Sequence, residues 1–363
     1  MTVRVGVVGT SWWADAMYLP ALTNHAHAEV VAVAGRDAGR AAAFAERWSV
    51  PAHYTDTDAF FDHDLDAVVI ASANDSHHPL SMQAISRGLH VLCEKPLGLD
   101  ASQAREMEAA AADAGVTTLV PFTYRYMPIF RWVKELTESG YVGTPHHLGM
   151  RYFTGFARDG EYLWRFDRAE AGSGVIGDLG SHWLAIALWL LGEPVSISAT
   201  SNAFIPRGPR PDGDPYEPGE DWAVMTVCFE SGARAVLQVS AVCIEPGEFG
   251  QTHHLDLHGT DGTIYAHSDW VSTQEVRGCR VGDRTPAAPL PIPDHIWADA
   301  PRDDVGSTYR HVFRSGQHMI GDFVDAVRSG STCSPDFAFG RHVQEVCDAA
   351  VASAAAGGTS VSL

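Results

Sequence analysis

Short apolar runs alternate with alanine-rich amphipathic stretches over the first third of the chain. The apolar runs predict five strands, RVGVVG (4–9), EVVAVAG (29–35), DAVVIAS (66–72), HVLCEK (90–95) and TTLVPFT (117–123). The stretches between them contain strong helix formers, as in AGRAAAFAERW (38–48) and QAREMEAAAADAG (103–115). Continuous Val, Ile and Leu runs separated by helices are typical of a buried parallel sheet of βαβ units. We therefore expect a doubly wound α/β sheet with its ligand crevice at the carboxyl ends of the strands.

The pattern changes after roughly Pro128, where alternating apolar and polar positions predict antiparallel hairpins. The hairpins are WAVMTVCFESGARAVLQVSAV (222–242), which turns at Ser231–Gly232, and HHLDLHGTDGTIYAH (253–267), which turns at 260–262. The predicted helices are SHWLAIALWLLG (181–192) and RHVQEVCDAAVASAAAGG (341–358), and the Pro- and Gly-rich stretch 205–221 predicts a long surface loop. Hairpins with separate helices indicate an α+β domain. We therefore expect two domains, residues 1–125 and 126–363.

The composition of the 363-residue chain narrows the possible partners. It is 45% hydrophobic and 19% charged, as expected for a globular protein with a full core, and its apolar runs are too short for a membrane span. The formal net charge of −20 disfavours nucleic acid, because the average field would repel the phosphates. Six scattered cysteines indicate reduced thiols, and the opening MTVRVGVVG lacks the pattern of a secretory signal. We therefore expect a cytoplasmic protein with neither nucleic acid nor membrane as a partner.

The stretch VVGTSWWADA (7–16), behind the first predicted strand, is a possible dinucleotide loop. Gly9 stands where the first glycine of such a loop permits a tight turn, whereas Ser11 and Ala14 replace the second and third glycines. Taken alone, the pattern fits a plain strand–turn–helix equally well. A strand before the loop, a helix after it and a second strand at the proper distance favour cofactor binding. The candidate contacts are Gly9, Thr10, Trp12, Trp13 and Ser11, whose hydroxyl is a candidate phosphate donor.

The end of the second strand, AGRD (34–37), bears on the choice of cofactor. An acidic residue there would hold the ribose 2′-hydroxyl of NAD, but this chain has Gly35 followed by Arg36. Arg36 can pair with a 2′-phosphate and stack on the adenine. We therefore expect NADP to be preferred over NAD. Two alternatives stay open, with Arg36 as a solvated turn residue or Asp37 as the ligand of the ribose.

Several motifs along nearly the whole chain resemble the glucose–fructose oxidoreductase/inositol dehydrogenase (Gfo/Idh/MocA) family. They are ASANDSHHPL (71–80), GLHVLCEKPLGLD (88–100), FTYRYMP (122–128), WRFDRAEAGSGVIGDLGSHWLAIALWLLG (164–192), ED (220–221) and HGTDGTIYA (258–266). The EKP and GDLGSH segments are specific when they occur together at this separation. The resemblance implies a Rossmann domain followed by a domain with a large open, mainly antiparallel sheet. It also implies a nicotinamide-dependent oxidoreductase that acts on a secondary alcohol or ketone of a sugar, inositol or sugar derivative.

The resemblance also implies roles for individual residues. The catalytic positions are matched by Lys95, Asp178 and His182. The cofactor contacts that it adds are Asn74 and His77 at the nicotinamide end, with Ser72, Glu94, Lys95 and Arg165. The substrate contacts are Tyr124, Arg125 and Trp164, together with the three catalytic residues.

The residue types at the catalytic positions suit hydride transfer from an alcohol, which requires removal of the hydroxyl proton. His182 is a candidate neutral base, and Gly180–Ser181 resembles a helix N-cap that would place it in the first turn, where the helix dipole lowers its pKa. Asp178 is close enough in sequence to orient His182 or Lys95. Lys95 can donate a hydrogen bond to the reacting oxygen. Each has a plain structural alternative: a turn carboxylate, a helix cap or a surface lysine.

One position departs from the family pattern. An acid commonly stands three residues after the catalytic histidine and helps to hold substrate hydroxyls, but this chain has Ala185. We therefore expect a less hydroxylated or differently oriented sugar than inositol. Two other functions stay open, an NAD-assisted glycosidase and a non-catalytic cofactor-sensing regulator. The intact Lys95, Asp178 and His182 argue against the regulator.

Three adjacent histidine pairs, at 77–78, 146–147 and 253–254, invite a metal interpretation. Neighbouring residues on a strand point to opposite faces of the sheet, so such pairs do not chelate naturally. We therefore expect no metal centre. The open sheet that the resemblance implies is often used for dimer or tetramer contacts, which predicts a homodimer or homotetramer.

Overall fold

The computed structural model describes residues 1–247 and 250–363. They form two compact units, Met1–Phe122 with Arg310–Gln344, and Thr123–Tyr309 with Glu345–Leu363. The chain thus returns late to the first unit, whereas the predicted boundary at residue 125 assigned every later residue to the second domain. The apolar face of a helix indicates that it is buried, but not against which sheet, so the local pattern does not reveal this return.

The described residues form fifteen strands and twelve α-helices. The strands are β1 (Val3–Val8), β2 (Ala28–Ala34), β3 (Ala52–Tyr54), β4 (Ala67–Ile70), β5 (His90–Cys93), β6 (Thr118–Leu119), β7 (Pro145–Thr154), β8 (Pro194–Asn202), β9 (Trp222–Phe229), β10 (Arg234–Ser240), β11 (Gln251–Gly259), β12 (Gly262–Ser268), β13 (Gln274–Arg280), β14 (Ala288–Pro289) and β15 (Val361–Ser362). The helices are α1 (Leu19–Asn24), α2 (Ala38–Trp48), α3 (Thr57–Phe61), α4 (His77–Ile85), α5 (Ala101–Ala114), α6 (Pro128–Glu138), α7 (Arg168–Ala171), α8 (Ser181–Leu191), α9 (Asp294–Trp297), α10 (Val305–Arg314), α11 (Met319–Ser329) and α12 (Phe337–Ala355).

Six parallel strands form the sheet of the first unit, in the order β3-β2-β1-β4-β5-β6. The order reverses between β1 and β4, so the carboxyl ends of these two strands form the topological switch point where ligands of such sheets bind. The predicted strands are confirmed, but the fifth is only two residues long. Pro121 ends it, because proline has no N–H to donate to the ladder.

The second unit contains a nine-stranded sheet in the order β14-β13-β12-β11-β7-β10-β9-β8-β15. β10 and β7 are parallel, and the other described pairs are antiparallel. Both predicted hairpins are confirmed, and Gly232 has a φ of +88° at the first turn. One face is buried, with Met225 and Leu237 among its side chains, and the other is half-exposed. The sheet is therefore covered on one side only within this unit.

Helix α8 carries His182, is buried at nine of its eleven residues, and packs against β7 and β10. Among the described residues, one segment, Arg168–Leu191, is long and apolar enough to cross a membrane, with a mean hydropathy of 1.4. However, 83% of its apolar window is buried inside the fold. Burial of this kind is typical of the core helix of a globular domain.

Candidate active site

Gly9 makes the turn between β1 and the helical segment that follows it. Its φ of +113° lies in the region that favours glycine. An added Cβ would lie 2.3 Å from the carbonyl oxygen of Ala71, directly after β4. The loop therefore lies close to the switch point, and only glycine fits this position.

Ser11 caps the helical segment that begins beyond the loop. Its hydroxyl donates to the carbonyl oxygen of Ala71 (3.2 Å) and accepts from the backbone N–H of Ala14 (3.2 Å). The hydroxyl proton that the sequence assigned to a phosphate is therefore directed at the protein. The ring of Trp12 is 70% exposed, and its centroid lies 5.9 Å from that of the half-buried Trp13.

A cleft of about 260 Å³ lies beside the loop, lined by Thr10, Ser11, Trp12, Asp15, Arg40, Ala43, Phe44 and Arg47. Arg47 is paired with Asp15 (2.9 Å), and the Arg40 side chain is exposed. Sequence reasoning missed Arg40, although its place in the first turn of α2, directly after AGRD, was a usable signal. The cleft offers positive charge next to the end of β2.

The end of β2 leaves little room for a side chain at position 35. An added Cβ at Gly35 would lie 2.9 Å from Cγ2 of Thr10, so the threonine methyl occupies the space that an acidic side chain there would need. Arg36 is exposed. The carboxylate of Asp37 accepts from the backbone N–H of Arg40 (2.7 Å) and caps α2. Asp37 therefore has a structural function.

The segment after β4 carries Ser72, Asn74 and His77. The Ser72 hydroxyl accepts from Ser76 (2.6 Å), and Asn74 is buried in a 3-10 turn. The fully buried ring of His77 places Nδ1 2.9 Å from the carbonyl oxygen of Pro96 and Nε2 3.3 Å from that of Ser72. Burial lowers the pKa of His77, so its ring is neutral and donates one hydrogen bond. This placement favours a positioning role for His77 over the cofactor contact that the resemblance implies.

Glu94 and Lys95 leave the carboxyl end of β5. The backbone N–H of Glu94 donates to the carbonyl oxygen of Ile70 (3.0 Å), which holds the turn beside β4. The Glu94 carboxylate accepts from the hydroxyl of Tyr18 and from the backbone N–H of Lys95 (3.1 Å). Lys95 is half-buried, and the Lys95–Pro96 peptide is cis. Because Tyr18 follows the Gly9 loop, Glu94 joins the EKP turn to the segment behind that loop.

Asp178 and His182 share one helical segment in the second unit. A π-helical turn, Ile176–Gly180, leads directly into α8. Gly180 (φ −63°, ψ −36°) and Ser181 (φ −56°, ψ −38°) both have right-handed helical angles, so the predicted N-cap at these residues is wrong. His182 lies well beyond the first turn. Since the helix dipole acts only within that turn, the predicted effect of the dipole on His182 is wrong as well.

Tyr124 lies at the centre of a cluster of rings in the second unit. Its ring centroid is 4.9 Å from that of His182, 4.7 Å from that of His253 and 5.6 Å from that of Tyr152, each in an edge-to-face arrangement. Its hydroxyl donates to the hydroxyl of Tyr152 (2.9 Å) and accepts from the amide of Gln251 (3.0 Å). Burial is the main cause that raises the pKa of both tyrosines, and the charge of Asp178 raises both further. Both are therefore neutral hydroxyls near the Asp178 carboxylate.

Three members of this cluster were missed by sequence reasoning: Tyr152, Gln251 and His253. Burial lowers the pKa of His253 well below its usual value, so its ring is neutral, and its Nε2 lies 3.0 Å from the Gln251 amide. β7 and β11 bring these residues together by pairing Tyr152 with His253. Tyr152 and His253 each lie in a strand whose residues alternate between inward and outward positions, and this alternation indicates that both face inward. One sequence does not show which strands pair with each other.

The remaining predicted contact residues, Trp164, Arg165 and Arg125, lie in two different places. Nε of Arg165 lies 3.7 Å from the Asp178 carboxylate, and its guanidinium lies 4.7 Å from the ring of Trp164. The WR motif is therefore beside Asp178. Arg125 instead stacks on Trp189, at 4.8 Å from the ring centroid. That contact is typical of packing on α8.

Comparison with known proteins places both parts of the chain in one group. Residues 3–122 match a family model described as "Oxidoreductase family, NAD-binding Rossmann fold". Residues 130–265 match a model described as "GFO/IDH/MocA C-terminal domain". Together the matches span well over half of the chain, in the order that the sequence motifs predict.

Individual relatives agree with these matches. Levoglucosan dehydrogenase of Pseudarthrobacter phenanthrenivorans is 30% identical over 321 residues, which cover 81% of this chain and 79% of that protein. D-xylose 1-dehydrogenase (NADP(+)) 2 of Haloferax volcanii is 31% identical over 267 residues, covering 72% and 75%. A solved structure of levoglucosan dehydrogenase in complex with NADH and levoglucosan has a TM-score of 0.86 at 23% identity, covering 100% of this chain and 99% of that one. At this identity the structural likeness shows the fold.

Proposed function

Since the chain belongs to the Gfo/Idh/MocA family of NAD(P)-dependent oxidoreductases, we propose that it is an NADP-preferring dehydrogenase or reductase of a sugar or cyclitol derivative. The reaction is hydride transfer between the nicotinamide and a secondary alcohol or ketone. The observation that carries the proposal is the combination of a Gly9 loop at the switch point with Lys95 after β5 and an Asp178–His182 helix in the second unit.

The residues of the first unit fit a dinucleotide. The backbone approach at Gly9, where a Cβ would lie 2.3 Å from the Ala71 carbonyl oxygen, provides the tight turn that a pyrophosphate needs. Gly9 would provide the turn, the backbone of Thr10 and Ser11 would hold the phosphates, and the cleft beside Arg40 would take the adenosine end. When bound, the nicotinamide ring accepts or supplies the hydride.

This chain's own residues handle the proton and the charge. His182 removes the proton of the substrate hydroxyl during oxidation and returns it during reduction. Asp178 orients His182 and favours its cationic form after proton transfer. Lys95 donates a hydrogen bond to the reacting oxygen and stabilises its developing negative charge. The neutral hydroxyl of Tyr124 is a substrate contact.

The preference for NADP is argued from the end of β2. Thr10 fills the space that a ribose-binding acid at position 35 would occupy, and Asp37 is committed to capping α2. Arg36 and Arg40 are exposed at the same place. A 2′-phosphate therefore meets two guanidinium groups and no competing carboxylate from position 35.

Arg36→Ala tests this preference directly. Loss of one charge-assisted contact with the 2′-phosphate is expected to lower kcat/KM for NADP by about tenfold and to leave kcat/KM for NAD within about twofold. The measurement is initial rates of nicotinamide absorbance with each cofactor. Arg87→Ala, which removes an arginine paired with Asp58 and Asp62, is the matched control and should change neither value. A wild-type enzyme that works better with NAD would overturn the argument.

The substrate is proposed only as a class. Ala185, fully buried in α8, takes the place of the acid that commonly holds substrate hydroxyls, which favours a sugar with fewer hydroxyls to bind. A panel of levoglucosan, D-xylose and myo-inositol, each assayed with NADP and NAD, tests the class. Absence of turnover with every sugar and cyclitol, in both directions, would contradict the proposed function.

We further propose a cytoplasmic homodimer or homotetramer that associates through the half-exposed face of the nine-stranded sheet. Val224 and Val236 lie on that face, and Tyr265 is 37% exposed there. An open sheet face with apolar residues is suited to association. Sedimentation velocity measures the assembly, and Val236→Glu should shift it to monomer. A wild-type monomer at micromolar concentration would contradict the proposal.

A further inference from the structure

We propose that Glu220 is a positioning residue for the reaction, and that its carboxylate holds the helical turn that carries Asp178 in its working geometry. The proposal rests on the proposed roles of Asp178 and His182. It assigns a function to the ED motif at 220–221, which the fold and the cofactor site leave unexplained.

Glu220 caps the helical segment that bears Asp178. Its carboxylate oxygen Oε1 accepts from the backbone N–H groups of Gly174 (2.9 Å) and Ile176 (3.1 Å). Its backbone carbonyl accepts from the N–H of Val175 (2.8 Å). The first N–H groups of a helix have no partner within the helix, so one residue satisfies three consecutive donors. A carboxylate at this end is further stabilised by the helix dipole.

The rest of the cap completes the same turn. The hydroxyl of Ser173 accepts from the N–H of Gly177 (3.0 Å), and the N–H of Asp178 donates to the carbonyl oxygen of Gly174 (3.0 Å). These contacts lead directly into the π-helical turn Ile176–Gly180, a conformation that is rare and is found frequently at functional sites. Asp178 is therefore two residues from the last N–H that Glu220 holds.

Glu220 is itself firmly held. The residue is 4% exposed, and Oε2 pairs with the guanidinium of Arg168 (3.2 Å). The chain also has to approach very closely here, because an added Cβ at Gly174 would lie 2.0 Å from the carbonyl oxygen of Glu220. Gly219 is similarly close, with its added Cβ 2.7 Å from the nitrogen of Gly174. The cap is therefore a built feature with its own packing requirements.

Loss of the carboxylate would leave two buried N–H groups unsatisfied at the start of the turn. The turn would then change conformation to find new partners, because buried unpaired donors are costly. The body of α8 is buried at nine of its eleven residues, so its own packing holds it in place. The displacement therefore concentrates on Asp178, and a small misplacement of a catalytic group lowers the rate strongly.

The test is a double-mutant cycle with the most active sugar and cofactor from the panel. Glu220→Ala is expected to lower kcat by about 10- to 100-fold and to leave KM for the cofactor within about twofold. Glu220→Gln should stay within about fivefold of wild type, because its amide oxygen still accepts from both N–H groups. In an Asp178→Asn background, Glu220→Ala should cause no further loss of kcat, since Glu220 acts through Asp178.

A merely structural role gives a different result. In that case Glu220→Ala lowers kcat by the same factor in both backgrounds, which would overturn the proposal. Ser353→Ala is the matched control, because its buried hydroxyl also joins two backbone groups, Ala199 N–H (2.9 Å) and Thr359 carbonyl (2.6 Å). It should lower Tm without lowering kcat.

Two further measurements keep the outcomes distinct. If Glu220→Ala does not fold, the cycle uses Glu220→Asp, which draws the carboxylate back by one methylene and should lower kcat by about tenfold. Hydrogen exchange at residues 174–177 should accelerate in the folded variant, and unchanged protection would contradict the cap. If Asp178→Asn alone keeps full kcat, the proposed function of Asp178 fails, and this is seen before any Glu220 variant is assayed.

Discussion

At the scale of single residues, Lys95 is the group on which the proposed chemistry depends most. It follows β5 at the carboxyl edge of the sheet, and the backbone around it is held by two neighbours. His77 contacts the carbonyl oxygen of Pro96, and Glu94 accepts from the N–H of Lys95 itself. These contacts fix the backbone on both sides of the lysine, and so they determine where its side chain leaves the sheet.

Lys95→Ala should lower kcat by about 10³-fold, because it removes the donor that stabilises negative charge on that oxygen. Cofactor affinity, measured by fluorescence titration with NADP, should stay within about threefold of wild type. The control is Lys134→Ala, since Lys134 pairs with Glu138 (3.2 Å) and donates to the carbonyl oxygen of Trp189 (2.7 Å). Turnover of Lys95→Ala near the wild-type rate would refute the assignment.

Local signals explain which residues of the candidate site could be predicted. Gly9 was readable because a turn glycine directly behind an apolar run has a local cause, and its positive φ agrees with it. Glu220 and His253 were not readable as parts of the site. Glu220 caps donors 44 and 46 residues away, and His253 meets Tyr152 only through strand pairing. Contacts made over such separations leave no periodicity in the sequence.

At the scale of elements, the loop after β1 and the end of β2 are coupled. Thr10 packs its methyl over Gly35, so the residue type at one position limits the other. This contact has a direct consequence for cofactor choice. An acid introduced at position 35 requires a smaller residue at position 10.

Gly35→Asp alone should weaken the binding of both NADP and NAD, because the new Cβ would lie 2.9 Å from Cγ2 of Thr10. The double variant Thr10→Ala with Gly35→Asp should bind NAD better than NADP. The new Cβ at position 35 then lies 3.6 Å from the Cβ of residue 10, which is an ordinary contact, so the new carboxylate can hold the ribose. Thr10→Ala alone should keep the NADP preference. The measurement is the ratio of the two dissociation constants. A switch to NAD with Gly35→Asp alone would show that Thr10 does not limit this site.

The end of a helix can be predicted when its capping residue is adjacent in the sequence, but not when the cap comes from a distant segment. The limits of α2 are those that its sequence predicts, because Asp37 caps it and Ser49 ends it from adjacent positions. The sequence predicts the start of the helix near Asp178 too late, at Gly180–Ser181. Small residues there resemble a cap, but the true cap comes from Glu220 on a distant segment.

At the scale of the whole molecule, the buried His253 and the half-buried His254 make stability depend on pH. Burial lowers the pKa of His253 well below its usual value, and burial together with Arg151 and His267 lowers that of His254 to about 4. In the unfolded chain both titrate near 6.5. Between pH 6.5 and 4 the unfolded state therefore binds more protons, so the free energy of unfolding falls as the pH falls.

His254→Gln should reduce this dependence. Removal of one such group is expected to lower the slope of the free energy of unfolding against pH by up to about 1.4 kcal/mol per pH unit between pH 6.5 and 4. Denaturant titrations at several pH values measure the slope. His53→Gln, which removes an exposed histidine, is the control and should leave the slope unchanged. An unchanged slope in His254→Gln would contradict the argument.

The sequence predicts the two types of sheet, but it does not predict which helices cover which sheet. Apolar runs such as VVIAS and alternating runs such as AVLQVS identify the parallel and antiparallel sheets, because each period has a direct physical cause. The return of Arg310–Gln344 to the first unit was not predictable. These helices have ordinary amphipathic patterns, and only tertiary packing decides which sheet they cover.

The placement of Lys95 also has a practical consequence, because the chain contains only two lysines, Lys95 and Lys134. Arginines such as Arg105 and Arg125 lie between the two lysines, so a tryptic digest places them on different peptides and shows which one an amine-directed label has modified. Mass spectrometry then counts modification at Lys95 as a single mass increment on one peptide. Protection of that peptide by a nucleotide or a sugar would report occupancy without any turnover, so ligands can be screened before the natural substrate is known.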